Sequence, residues 1–201
     1  MKEKIIEVAK ELFLNFGFKS VTMDDLASEM GISKKTIYAH FPNKTKLVEA
    51  TTSYIFDQIC AGIDSIIEEN HEPIEELYHI KSFIMQHLKN EKTSPQYQLQ
   101  KYYPKLYTQL KSKQFDVTKD CVAENITRGI EKGVYRSNID PEIISRLYFT
   151  CVIGIKDQHM FPTEIFSIPE LMENYLEYHI RGIASKKGLE ILNNLIKDQQ
   201  K

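Results

Sequence analysis

No apolar run in this chain approaches the roughly 20 residues that a helix needs to cross a bilayer, so no membrane span is expected. The opening segment, Met1 to Phe13, mixes charged with apolar side chains and does not read as a secretion signal. Cysteine is scarce. Cys60, Cys121 and Cys151 are odd in number and widely spaced, with no CxxC pair. That excludes a disulfide framework, argues against a zinc site and points to a reducing, cytoplasmic setting. The six histidines are scattered, and His79 and His87, eight residues apart, have no cysteine or carboxylate at ligand spacing. No nucleophile motif and no phosphate-cradling glycine loop is present, so neither an enzyme nor a cofactor is expected. Against 28 Asp+Glu stand 26 Lys+Arg, a net charge of -2. A uniformly basic nucleic-acid coat is thereby excluded, though a local basic patch is not.

Glycine (8) and proline (7) are also few for 201 residues, and the stretches between them read at helical period. Ile5, Val8, Ala9, Leu12, Phe13 and Phe16 form one apolar stripe that ends at Gly17. Thr22 can cap a second helix, with Asp25 completing an imperfect capping box, and Gly31 closes it. Ser33 caps a third, from Lys34 to His40, which Phe41-Pro42-Asn43 stops; Asn43 caps the next. A long helix then runs from Lys44 to about Asn70. Further starts fall at Pro73, around Ser94-Pro95, at Pro104, at Asp140-Pro141 and at Pro169. Residues 129–138 read as a turn-rich connection, and the tail after Lys186 as a weaker amphipathic helix. No strand alternation is sustained. The predicted architecture is all-α, with about nine or ten helices.

Two short helices joined by Gly31-Ile32-Ser33 have the spacing of a helix-turn-helix, whose second helix enters the major groove of DNA. Charge agrees. Residues 33–48 hold Lys34, Lys35, Lys44 and Lys46 and no acidic residue, a local +4. Lys34, Lys35 and Thr36 occupy the first turn, which reaches base edges in this motif. Tyr38, His40 and Lys44 can hold phosphate oxygens, while Thr22 and Ser33 can present hydroxyls beside helix amides. Ile37 and Phe41 face the core instead. All four arginines (Arg128, Arg136, Arg146, Arg181) lie in the second half, so lysine must do any guanine reading here.

These residues resemble the DNA-binding domain of the TetR family of bacterial transcriptional regulators. The resemblance rests on Phe16-Gly17, Thr22, Gly31-Ile32-Ser33, Tyr38-Ala39-His40-Phe41 and Lys44-Thr45-Lys46-Leu47, all in register over the first quarter of the chain. One departure is Lys35, where members often carry Gly or Ala. The resemblance implies a helix-turn-helix, three-helix DNA-binding domain at 1–46 and a helical-bundle ligand-binding and dimerisation domain at 47–201. It implies a homodimer that binds double-stranded operator DNA, with a small-molecule effector that releases a repressor. The dimer would form through the helices beginning at Pro141 and Pro169, the first expected to reach about Met160. Gly154 and Gly182 would lie mid-helix there and allow close approach. The alternative is a helical module whose helix-turn-helix binds a protein partner. Tyr102, Tyr103 and Tyr107 are candidates for lining an effector pocket, as hydroxyl anchors in an apolar wall.

Overall fold

Side-chain caps set the first three turns of the fold. The chain opens with α1 (Lys2–Phe16), α2 (Met23–Met30), α3 (Lys34–His40) and α4 (Lys44–Glu68). Thr22 Oγ1 accepts from the Asp25 amide while Asp25 Oδ2 accepts from the Thr22 amide, a complete reciprocal box built with Asp in place of Glu. Ser33 Oγ accepts from the Thr36 amide, and Asn43 Oδ1 from the Lys46 amide. Gly31 ends α2 in the left-handed conformation at φ 61°. The computed structural model describes residues 1–87 and 95–199. It continues with α5 (Pro73–His87), α6 (Pro95–Tyr102), α7 (Pro104–Glu131), α8 (Pro141–Gly154), α9 (Ile168–Ile183) and α10 (Lys186–Gln199). Among the described residues there is no strand, and one isolated bridge joins Tyr135 to Ala184.

Two compact units divide the chain. The first comprises Met1–Gly62 and Gln86–Lys113. Its core gathers Ile5, Ala9 and Phe13 of α1, Leu26 of α2, Ile37 of α3, Leu47 and Val48 of α4, and the linking residues Phe18 and Phe41. Each of these side chains larger than alanine contributes about 1.5–3 kcal/mol by leaving water. Leu99 of α6 is buried in the same core, and Tyr103, Leu106, Tyr107 and Leu110 pack against it. Phe16 departs from the expected apolar stripe: it is 61% exposed, because the helix turns Phe13 and Leu14 inward at its last turn.

The second unit comprises Ile63–Met85 and Gln114–Lys201. Ile74, Leu77, Val122, Ile126, Val134, Leu176, Ile180, Ile183 and Leu192 form its core. Inside it, Glu76 Oε1 accepts from Arg128 at 2.6 Å and from Asn125 at 2.8 Å, and Tyr135 donates to Asn125 Oδ1 at 3.0 Å. The Arg136 amide donates to the Ile183 carbonyl and the Ser185 amide to the Val134 carbonyl, which fixes the turn after α7 to the start of α10.

Proline and capping residues place the later helices as expected, with Asp140 and Ser167 capping α8 and α9. Ser94 lies outside the described residues. Three expectations shift. Helix α7 continues through Gly129 to Glu131, so the turn begins only at Lys132. Helix α8 stops at Gly154 rather than near Met160; beyond it, Asp157 Oδ1 accepts the His159 amide and holds the backbone in a turn. Gly154 is therefore terminal, and neither it nor Gly182 is closely approached from within the chain.

Candidate nucleic-acid interface

Helices α3 and α4 both begin with lysine and have no acidic residue in the first turn. Acidic side chains ordinarily favour that positive end of a helix, and here α2 alone of the three has them, in Asp24 and Asp25. Both helix starts thus combine the positive end of the helix dipole with cations, an arrangement suited to anionic phosphate.

The eight residues expected at the interface all fall in the first unit. Lys34, Lys35, Tyr38 and His40 of α3 are exposed, while Ile37 between them is fully buried and anchors the helix. Lys35, Tyr38 and His40 have no hydrogen-bond or ion-pair partner among the described residues, so their polar atoms are available. Thr36 is half-buried, and its hydroxyl lies 2.8 Å from Ser33 Oγ. The hydroxyls of Thr22 and Ser33 serve their caps, and both residues remain exposed. Hydrogen bonds from the Thr22 amide and hydroxyl hold the Asp25 carboxyl below its usual range, against a smaller opposing effect of burial.

The +4 of the sequence is smaller in space. Lys34 Nζ pairs with Asp24 at 2.7 Å and Lys46 Nζ with Glu49 at 2.6 Å, both at the surface. The hydrogen bond to Asp24 raises the Lys34 pKa. Surface pairs of this kind are worth about 0–1 kcal/mol, so an incoming phosphate or base edge can displace Asp24 at little cost. Lys44 differs. Its Nζ donates to the Lys19 carbonyl at 3.0 Å, and burial lowers its pKa while Asp25 opposes the shift. The sequence carried no signal for the Asp24 or Lys19 contacts, which join residues 10 and 25 positions apart.

Residues 5–51 match the family model described as bacterial regulatory proteins, tetR family. Over these residues the chain is similar to the TetR family. Over 78 residues it is 33% identical to the biofilm operon icaADBC HTH-type negative transcriptional regulator IcaR of Staphylococcus aureus. That match covers 39% of this chain and 42% of IcaR, so the chain matches less than half of that relative's length. It is 26% identical to the uncharacterised HTH-type transcriptional regulator YhgD of Bacillus subtilis, across 92% of this chain and 97% of YhgD. The solved structure of Thermus thermophilus FadR, described as a TetR-family repressor in complex with lauroyl-CoA, covers 92% of this chain and 96% of that one. Its TM-score is 0.61 at 22% identity, a likeness of fold.

The three candidate pocket tyrosines all fall in the first unit. Tyr103 and Tyr107 pack against the core of the first unit, with the Tyr103 ring edge-on to Phe18 at 6.4 Å. Burial raises the Tyr103 pKa. Tyr102 is exposed, its ring flanked by the ammonium groups of Lys19 at 5.2 Å and Lys101 at 5.6 Å. Two surface clefts in this unit are lined by other residues, one by Leu12, Phe16, Val21 and Glu29, the other by Glu7, Glu11, Tyr54 and Gln58. Tyr103 and Tyr107 are half-buried and Tyr102 exposed; their closeness in sequence could not name the surface they pack on.

Among the described residues no group of three or more potential metal ligands comes together, and no helix is long and apolar enough to cross a membrane.

Proposed function

We propose that the chain is a cytoplasmic, homodimeric repressor that binds operator DNA through residues 1–46 and is released by a small-molecule effector bound within residues 47–201. The observation that carries this reading is the pair of lysine-headed, side-chain-capped helix starts at Ser33 and Asn43, with Lys35, Tyr38 and His40 exposed beside them. Helix α3 lies in the major groove, with Lys34, Lys35 and Thr36 toward base edges. Tyr38, His40 and Lys44 hold phosphates, and the caps at Thr22 and Ser33 add hydroxyl and amide donors. Dimerisation is supported by large apolar side chains left open on α8 and α9: Ile143 is 56%, Leu147 53% and Tyr178 77% exposed. The acyl-CoA complex of FadR supports an effector with a substantial apolar part.

A gel shift with the DNA upstream of its own gene, competed by unrelated duplex, tests the reading. Sequence-selective binding by a species of about twice 23.5 kDa is expected. Binding that unrelated duplex removes equally well would count against it. Lys35→Ala should relax preference at one position of each half-site by roughly 1–3 kcal/mol. A compound that raises the melting temperature should also weaken DNA binding, because linkage is reciprocal.

A further inference from the structure

The turn between α1 and α2 is held from two sides. Gly17 has φ +84°, where a side chain would be strained, and the space its missing Cβ leaves is filled by the Gln98 amide of α6. An ideal Cβ there would collide with Gln98 Nε2. Gln98 Oε1 accepts the Lys19 amide at 3.2 Å. On the next peptide, the Lys19 carbonyl accepts Lys44 Nζ at 3.0 Å. Leu99, buried beside Gln98, and Tyr103, edge-on to Phe18, keep α6 seated on this turn.

From this continuous path we propose that Gln98 is a positioning residue for DNA binding: through the Lys19 backbone it fixes where Lys44 presents its ammonium. The inference rests on the operator-binding reading above and gives α6 a part in it. An unanchored lysine must give up most of its side-chain freedom when it settles on a phosphate. Lys44 has settled beforehand, and it keeps two of its three donors for the anion. Releasing Gln98 frees the Lys19 peptide to swing, and Lys44 loses the carbonyl that orients it. The ammonium then returns to solvent, where burial no longer depresses its pKa.

The test uses Gln98→Met, which keeps the length of the side chain and removes the acceptor, with Gln98→Ala as a second variant. The DNA probe is a duplex selected from a random pool by the parent protein. Both variants should bind it about 5- to 150-fold more weakly, the worth of one hydrogen bond in each protomer of the dimer. Their salt slopes should fall toward that of Lys44→Ala, by up to about two units per dimer. In a Lys44→Met background, Gln98→Met should cost nothing further. In the free protein, the ¹³Cε titration of Lys44 should move up toward an ordinary lysine on Gln98→Met, a change that a loss of overall stability does not produce. A parent that selects no duplex overturns both readings. A parent that binds, with Gln98→Met equal to it in affinity, slope and Lys44 titration, overturns this one alone. Equal losses in the presence and absence of Lys44 also overturn it, since Gln98 then acts by another route.

Discussion

The two compact units bury different things. In the first, the buried polar residues among those described are Thr51 and Thr52, whose hydroxyls return to carbonyls of their own helix, and the described charges lie at or near the surface. In the second, Glu76 is fully buried and Lys81 nearly so, with Asn125 and Ser145. Lys81 pairs with Glu173 and lies over the Tyr78 ring, and burial pushes the Tyr78 hydroxyl up to about 12. The first unit is held by apolar contact and spends its polar groups on caps and exposed cations. The second is held partly by polar matches between helices distant in sequence. A surface-acting unit can therefore lose a charge at small cost, whereas the other cannot lose one partner without stranding its mate.

The sharpest way to break this contrast is Glu76→Ala. It removes the acceptor shared by Arg128 and Asn125 and should destabilise by about 3–5 kcal/mol, read as a fall in urea midpoint. A cost under about 1 kcal/mol would make the buried pair equivalent to a surface one.

Next in size is a pH effect. His179 lies against the rings of Tyr148 and Tyr175, and burial lowers its pKa from 6.5 to about 4. The unfolded chain takes up this proton below 6.5, while the folded protein resists it until about 4. Stability should thus rise between pH 4 and 6.5, by up to about 3 kcal/mol, and level off above. His179→Phe should flatten that rise in unfolding measured across the range.

In the first unit, Ser33→Ala should cost only about 1 kcal/mol, the usual worth of an N-cap, seen as a drop of a few degrees in melting temperature. The smallest effect belongs to Asp25→Asn. Because the folded carboxyl titrates below its unfolded value, its contribution is present above the ordinary carboxylate pKa and fades as pH falls through the folded one. The variant should lose that acid-range slope, with a small shortfall at neutral pH that vanishes as pH falls through the folded value.

The same contrast explains what the sequence made legible. Thr22, Ser33, Asn43 and Asp140 act on amides two or three residues away, so their roles follow from spacing alone. The Lys-rich starts of α3 and α4 follow likewise. Glu76 reads as one more polar residue on α5, and only its neighbours 49 and 52 positions away reveal why it is inside. Lys34 and Asp24, Lys44 and Lys19, and Gln98 and Gly17 are similarly non-local. Tyr102, Tyr103 and Tyr107 were recognisable as a cluster, yet the core that receives two of them is gathered from α1, α2, α3 and α4, with Phe18 edge-on to Tyr103.

The backbone bridge between Val134–Arg136 and Ile183–Ser185 makes one closed loop of everything between, α8 and α9 included. The entropy of closing such a loop grows only with the logarithm of its length, so doubling it would add merely about 0.6 kcal/mol. The clasp itself is indifferent to how many residues join α8 to α9. That connection, residues 155–167, can lengthen or shorten over evolutionary time while the ends of the loop stay tied.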